Sequence, residues 1–217
     1  MIFEPLTIIR LCGIAGILGA LITGIGDLLY HHIPNSKQTL AERMSSLPQE
    51  RLVKAGALGL IGSWFYCLSV FHLYYAFLPA GLDLTLAISF SFVMVAIAYG
   101  VGHASYYAIG STAKVARENN LDIEVAGKMG EALFSRIVMI TYIPVAIASL
   151  LMLYCVLSGK SAYPRWMIVF LPIVPYLLRT LILKILRGRL QELVRDSYDN
   201  LVFLLFFLVS TAVLWVK

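Results

Sequence analysis

Residues 11–31 read LCGIAGILGALITGIGDLLYH, and the solvent this stretch requires decides the fold. From Leu11 to Gly26 no residue carries a charge, and the first one reached is Asp27. A helix rises 1.5 Å per residue, so about 20 apolar residues cross the roughly 30 Å of hydrocarbon in a bilayer. The stretch therefore predicts a membrane-spanning helix with Asp27 near its end. Cys12, Gly16, Ala20 and Gly24 recur at i, i+4 and form a stripe of small residues where another backbone can approach closely.

The same pattern continues along the chain. Apolar runs cover approximately 7–30, 55–78, 84–110, 133–157, 166–186 and 201–216, separated by short charged loops. Hydrophobic residues make up 60% of the 217 positions and charged residues 13%, which leaves no material for a soluble domain. An open sheet would leave unpaired backbone groups in lipid. The expectation is all-α: one polytopic domain over 1–217, with six transmembrane helices in a single bundle. The first run lacks a basic leader and a small-residue cleavage site, so it reads as a retained helix and not a signal peptide. Residues 34–54, with Leu40, Met44 and Leu47 among Arg43 and Arg51, suggest an amphipathic segment along the membrane surface. Pro144, Pro172 and Pro175 should kink the fourth and fifth spans.

Lysine and arginine give an orientation. Twelve of the 17 basic residues lie at the ends after spans one, three and five; only Arg10, Lys160, Arg165 and Lys217 lie at the opposite ends, and Arg179 falls within span five. The positive-inside rule then predicts an integral protein of the plasma (inner) membrane, with three cytoplasmic loops and both termini outside. The net charge of +5 reflects this topology and contact with membrane lipids, the expected partners. No basic-aromatic repeat points to nucleic acid. A homo-oligomer is left open. Cys12, Cys67 and Cys155 are isolated, with no C-x-x-C, so neither a redox motif nor a zinc knuckle is implied.

An ionisable group inside a membrane span is costly unless it faces a partner or a wet cavity. Depth along the spans brings several to one level. Asp27 and His31 end the first, His103 lies about two turns from the end of the third, and Arg136 begins the fourth. Arg179 is near the same end of the fifth, Asn200 begins the sixth, and Tyr107 and other tyrosines surround them. A carboxylate with imidazoles suits proton transfer, and Arg136, Arg179, Tyr107 and Asn200 are candidates to bind a substrate, with arginine suited to an anionic headgroup. The plainer reading is that arginines at span ends, Arg136 above all, extend their charge to water along an apolar stem. Asp27, His31 and His103 could share a metal, but no H-E-x-x-H spacing exists and no cofactor is expected.

Gly26-Asp27-Leu28-Leu29, followed by Phe71-His72-Leu73-Tyr74-Tyr75-Ala76-Phe77 at the end of the second span, resembles the lysoplasmalogenase family. Those membrane enzymes hydrolyse the vinyl-ether bond of lysoplasmalogens. The resemblance covers two helices, and the family differs in having more helices and a second acidic one. It implies that Asp27 is a catalytic carboxylate and His72 its companion. Depth argues otherwise for the pairing, since His72 lies towards the far side of the second span, about 15 Å from the level of Asp27. The functional expectation is a lipid-active hydrolase of a lysolipid-like substrate, with Asp27 as acid or base and His103 or His31 as proton partner. The alternative is a small proton- or cation-coupled transporter or channel.

Overall fold

The computed structural model describes residues 5–33 and 38–216. The order is α1 (Pro5–His31), α2 (Leu40–Ser46), α3 (Gln49–Phe77), α4 (Leu82–Glu118), α5 (Ile123–Leu157), α6 (Ile173–Ile185), α7 (Gly188–Asp196) and α8 (Tyr198–Trp215). Short 3-10 segments follow α3 at Leu78–Ala80 and precede α6 at Arg165–Phe170, and no strand occurs among the described residues. The all-α bundle of apolar helices follows from the sequence pattern.

Five stretches are long and apolar enough to cross a membrane: Leu6–Tyr30, Gln49–Ala80, Leu82–Glu118, Ile123–Leu157 and Tyr198–Trp215. The run at 166–186 differs from the expected sixth span. Its 3-10 segment stops at Phe170, Leu171 is extended, and α6 has only 13 residues, about 20 Å of helix. Two prolines are responsible. Pro172 stands just before α6 and Pro175 lies in its first turn, where a missing N–H costs nothing; further into a helix each would remove a hydrogen bond and clash with the preceding turn. The segment nevertheless travels the length of the bundle, for Tyr163 meets Ser210 near the end of α8 and Pro175 meets Tyr198 at its start. Pro144, by contrast, is absorbed within α5.

Helices α4 and α5 extend beyond the predicted apolar runs. Asn120 at φ 55° reverses the chain, Leu121 N–H donates to Ala116 O at 2.8 Å, and the Asp122 carboxylate caps α5 by accepting from Val125 N–H at 3.0 Å. The predicted surface segment becomes α2, with residues 34–37 outside the described part. A capping box closes its start: Glu42 N–H donates to Thr39 Oγ1, and Thr39 N–H to Glu42 Oε2. Its apolar side docks on protein, where Met44 and Leu47 are buried with Tyr30, Leu52, Ala55, Tyr106 and Ile109.

The larger core is aromatic. Tyr66, Phe92, Tyr99, Phe203 and Phe207 pack with ring centroids 5.6–6.3 Å apart, mostly edge to face. The small-residue stripe of α1 lets this layer close. A Cβ on Gly16 would lie 2.4 Å from the Phe207 ring, so α8 approaches α1 only because glycine stands there.

Candidate functional site

Asp27 is on the last turns of α1, its side chain 20% exposed between α4 and α8. Asn200, in the first turn of α8 and buried, donates from Nδ2 to Asp27 Oδ2 at 2.6 Å. His103 of α4 brings Nε2 to 3.4 Å from Asp27 Oδ1. The backbone of α3 makes room for that imidazole, because a Cβ on Gly59 would sit 2.1 Å from His103 Cγ. Tyr30 donates its hydroxyl to the His103 carbonyl at 3.0 Å, and its ring packs 5.2 Å from Tyr106. On the inner side, Asn200 Oδ1 lies 2.5 Å from Thr23 Oγ1 and accepts from Tyr66 OH at 3.2 Å. Arg51 of α3 fixes the end of α1 by donating to the carbonyls of Leu29 and His32 at 2.8 and 2.9 Å, groups that a helix end leaves unpaired.

This cluster forms one wall of a cavity of about 940 Å³. Asp27, His103, Tyr106 and Asn200 line it from α1, α4 and α8; Val138, Tyr142 and Val145 from α5; Ile173, Tyr176 and Leu177 from α6. Tyr142 and Leu177 are 61% and 78% exposed, so the cavity opens sideways between α5 and α6. Charge collects at one end, where Arg43, Arg179 and Arg195 share the lining with Asp196 and Asp199. Arg179 Nη1 is 3.8 Å from Asp199 Oδ1, with its guanidinium 5.0 Å from the centroid of the Tyr198 ring. Arg195 Nε donates to Asp196 Oδ1 at 3.0 Å, and Asp196 Oδ2 lies 3.6 Å from His32 Nδ1. The rest of the lining is largely apolar and aromatic, giving the cavity the polarity profile of a lipid with one charged end.

Of the residues singled out from sequence, Asp27, His103, Asn200 and Arg179 share this cavity. His31 ends α1, and its side chain is outside the described part. Arg136 is exposed on α5 and is not part of the lining, in keeping with an arginine that extends its charge away from the bundle. Tyr107 is half-buried, bonds to Gln49 and leaves the cavity to its neighbour Tyr106. His72 is far from the site: its Nε2 is 2.6 Å from Ser210 Oγ and its Nδ1 3.2 Å from Ile9 O. Ser210 and Asn200 are ten residues apart on α8, so the two clusters are separated by about 15 Å. Among the described residues no group of three His, Cys, Asp or Glu side chains could hold a metal ion.

Sequence reasoning missed Thr23, Tyr66, Arg43, Arg195 and Asp196. Thr23 was detectable, since it lies four residues before Asp27 and so on the same helical face. Tyr66 was hidden in an aromatic run, and the placement of Arg195 and Asp196 depends on the break before α6. No curated protein and no solved structure matches the chain. Residues 2–217 match a family model described as a family of unknown function, and the chain belongs to this family, DUF6796.

Proposed function

We propose that this protein is a membrane enzyme that hydrolyses a lysolipid-like amphiphile, which enters its cavity between α5 and α6. The observation that carries the reading is the Asp27–His103 pair, 3.4 Å apart, on the wall of a laterally open cavity with one charged end. Hydrolysis needs a group that takes a proton from water and one that gives a proton to the departing fragment. A carboxyl and an imidazole in contact can exchange those duties. Arg179, with Arg43 and Arg195 close by, holds an anionic headgroup, while the α5 and α6 side chains receive the chain. The resemblance to lysoplasmalogenases supports the substrate class, with His103 in the role that the resemblance implied for His72.

A proton- or cation-coupled transporter needs a path to both membrane faces. The layer of Tyr66, Phe92, Phe203 and Phe207 fills the bundle between the Asp27 and His72 clusters, which favours an enzyme. The proposed orientation has the basic loops on the cytoplasmic side of the plasma (inner) membrane and both termini outside. Cysteine labelling after Asn119→Cys and Lys160→Cys tests it, and reaction of position 119 from outside reverses it. For the activity, purified protein is assayed against lysophospholipids and vinyl-ether lysolipids. Turnover by the wild type is the expected result, and none on any of them returns the preference to the transporter.

A further inference from the structure

The two oxygens of the Asp27 carboxyl have different surroundings. Oδ2 is turned into the protein and accepts from Asn200 Nδ2, while Oδ1 is the atom beside His103 Nε2. Which way round the Asn200 amide sits is decided at its other end. The Tyr66 side chain is buried, and its hydroxyl donates to Asn200 Oδ1 at 3.2 Å. Were the amide turned over, its oxygen would face Asp27 Oδ2, and the Tyr66 and Thr23 hydroxyls would lose Asn200 Oδ1 as an acceptor. The Thr23 hydroxyl, which can turn to Gly19 O at 2.8 Å or to Asn200 Oδ1, adds a second donor. The amide is thereby fixed with its N–H towards Asp27.

We propose that Asn200, oriented by Tyr66 and Thr23, is a positioning residue that confines the exchangeable proton of Asp27 to Oδ1. A carboxyl accepts more strongly at its carbonyl oxygen than at its hydroxyl oxygen, so the Asn200 N–H on Oδ2 at 2.6 Å places the proton of a protonated Asp27 on Oδ1, the atom beside His103. From there it passes to His103 Nε2: the O–H bond breaks, the N–H bond forms, and carboxyl plus imidazole become carboxylate plus imidazolium. The reverse transfer restores both. This inference rests on Asp27 serving as the acid–base group, and it explains why Asn200 belongs with the carboxylate and not with the substrate.

The test is infrared spectroscopy of the full-length protein in lipid nanodiscs. The carbonyl band of the protonated Asp27 carboxyl is identified as the one that Asp27→Asn removes. With Oδ2 as its carbonyl, strongly bonded to Asn200, the wild-type band lies low. Asn200→Ala should shift it upward, and Tyr66→Phe combined with Thr23→Val should shift and broaden it, because the amide is then free to turn. Tyr66→Phe with Thr23→Ser, which keeps the second hydroxyl, covers the case in which the Tyr66→Phe and Thr23→Val pair does not fold. On a turned-over substrate, the Tyr66→Phe and Thr23→Val pair should lower kcat roughly tenfold at unchanged KM, the scale for losing an outer hydrogen-bond partner. An Asp27 band unmoved in Asn200→Ala overturns the proposal, and so does the absence of any such band over the pH range in which the protein stays folded. The spectra need no substrate, so failure to find an activity would count against the enzyme reading and leave this one standing or falling on its own data.

Discussion

Two polar clusters sit about 15 Å apart along the bundle, one on α1, α3 and α8 and the other taking His103 from α4 as well, and they differ in what lies beside them. At one end His72 is fully buried, and each ring nitrogen has a partner: Ile9 O and Ser210 Oγ, the latter shared with Tyr163 OH at 2.6 Å. His72 is not among the residues lining the cavity of about 940 Å³. At the other end Asp27 has one oxygen bonded inward and the other facing a cavity beside His103. Both clusters combine an ionisable group with hydroxyls on helices rich in glycine. What separates them is the cavity beside the carboxylate–imidazole pair. The first arrangement locks helices together, and the second can act on something that comes in.

The strongest way to break this contrast is to remove the ionisable carboxyl from the open end. Asp27→Asn keeps size and the contact with Asn200 but cannot exchange a proton. It should retain the fold and lose roughly 10²–10⁴ in turnover, the usual share of general acid–base catalysis. Normal turnover in a folded Asp27→Asn protein would move this cluster into the same class as His72.

A matched pair of glycines comes next. A Cβ on Gly59 would press on His103, at 2.1 Å from Cγ, and one on Gly13 would press on Thr211 Oγ1 at 2.5 Å and His72 Nδ1 at 2.8 Å. Gly59→Ala should displace the imidazole and cost about 10²-fold in turnover, the scale for moving a reacting group by about 1 Å. Gly13→Ala should lower the unfolding temperature and leave turnover per folded molecule unchanged. Equal losses of activity from the two would show that the ends are coupled.

The third test addresses His72 directly. His72→Phe keeps bulk in the aromatic surroundings and strips the bonds to Ile9 O and Ser210. The expected cost is about 1–3 kcal/mol of stability, from hydrogen bonds lost in a buried setting, read as a lower midpoint in thermal unfolding. Turnover of the folded fraction should persist. A loss rivalling that of Asp27→Asn would restore the pairing that the lysoplasmalogenase resemblance implied.

The sequence shows most of this architecture because lipid imposes simple rules. Uncharged runs longer than a bilayer is thick must be helices, and five of the six expected spans are continuous ones. Asp27 stands out by the same logic, as the one carboxylate after a long apolar, glycine-lined stretch. Hydropathy alone does not reveal the behaviour of 166–186, since Pro172 and Pro175 leave its composition apolar while breaking its backbone. That break sets how α6 and α7 return to the charged end and brings Arg195 and Asp196 to the cavity. Depth counting separated His72 from Asp27, but it could not distinguish a satisfied histidine from one facing space. It also led to Tyr107 as a candidate, whereas its neighbour Tyr106 lines the cavity and Tyr107 bonds Gln49.

The smallest expected effect belongs to Arg179, and it sharpens the contrast by testing whether the open cluster reads charge. Its side chain is 46% exposed and its partner Asp199 50% exposed, at 3.8 Å, so water and salt screen the pair and it adds little to stability. Arg179→Gln should therefore leave the unfolding temperature unchanged. It removes a cation from the cavity lining and leaves Asp199 there without it, which disfavours an anionic headgroup. KM for such a substrate should rise several-fold at unchanged kcat, because the guanidinium holds substrate and transition state alike. The difference from wild type should shrink as salt is raised from low ionic strength to about 0.15 M, where charges separated by more than about 8 Å are screened. A neutral single-chain lipid should show no change. A fall in kcat at constant KM would mean that Arg179 acts on the reacting atoms and not on the headgroup. An equal rise in KM for neutral and anionic lipids would remove charge recognition from the account of the cavity.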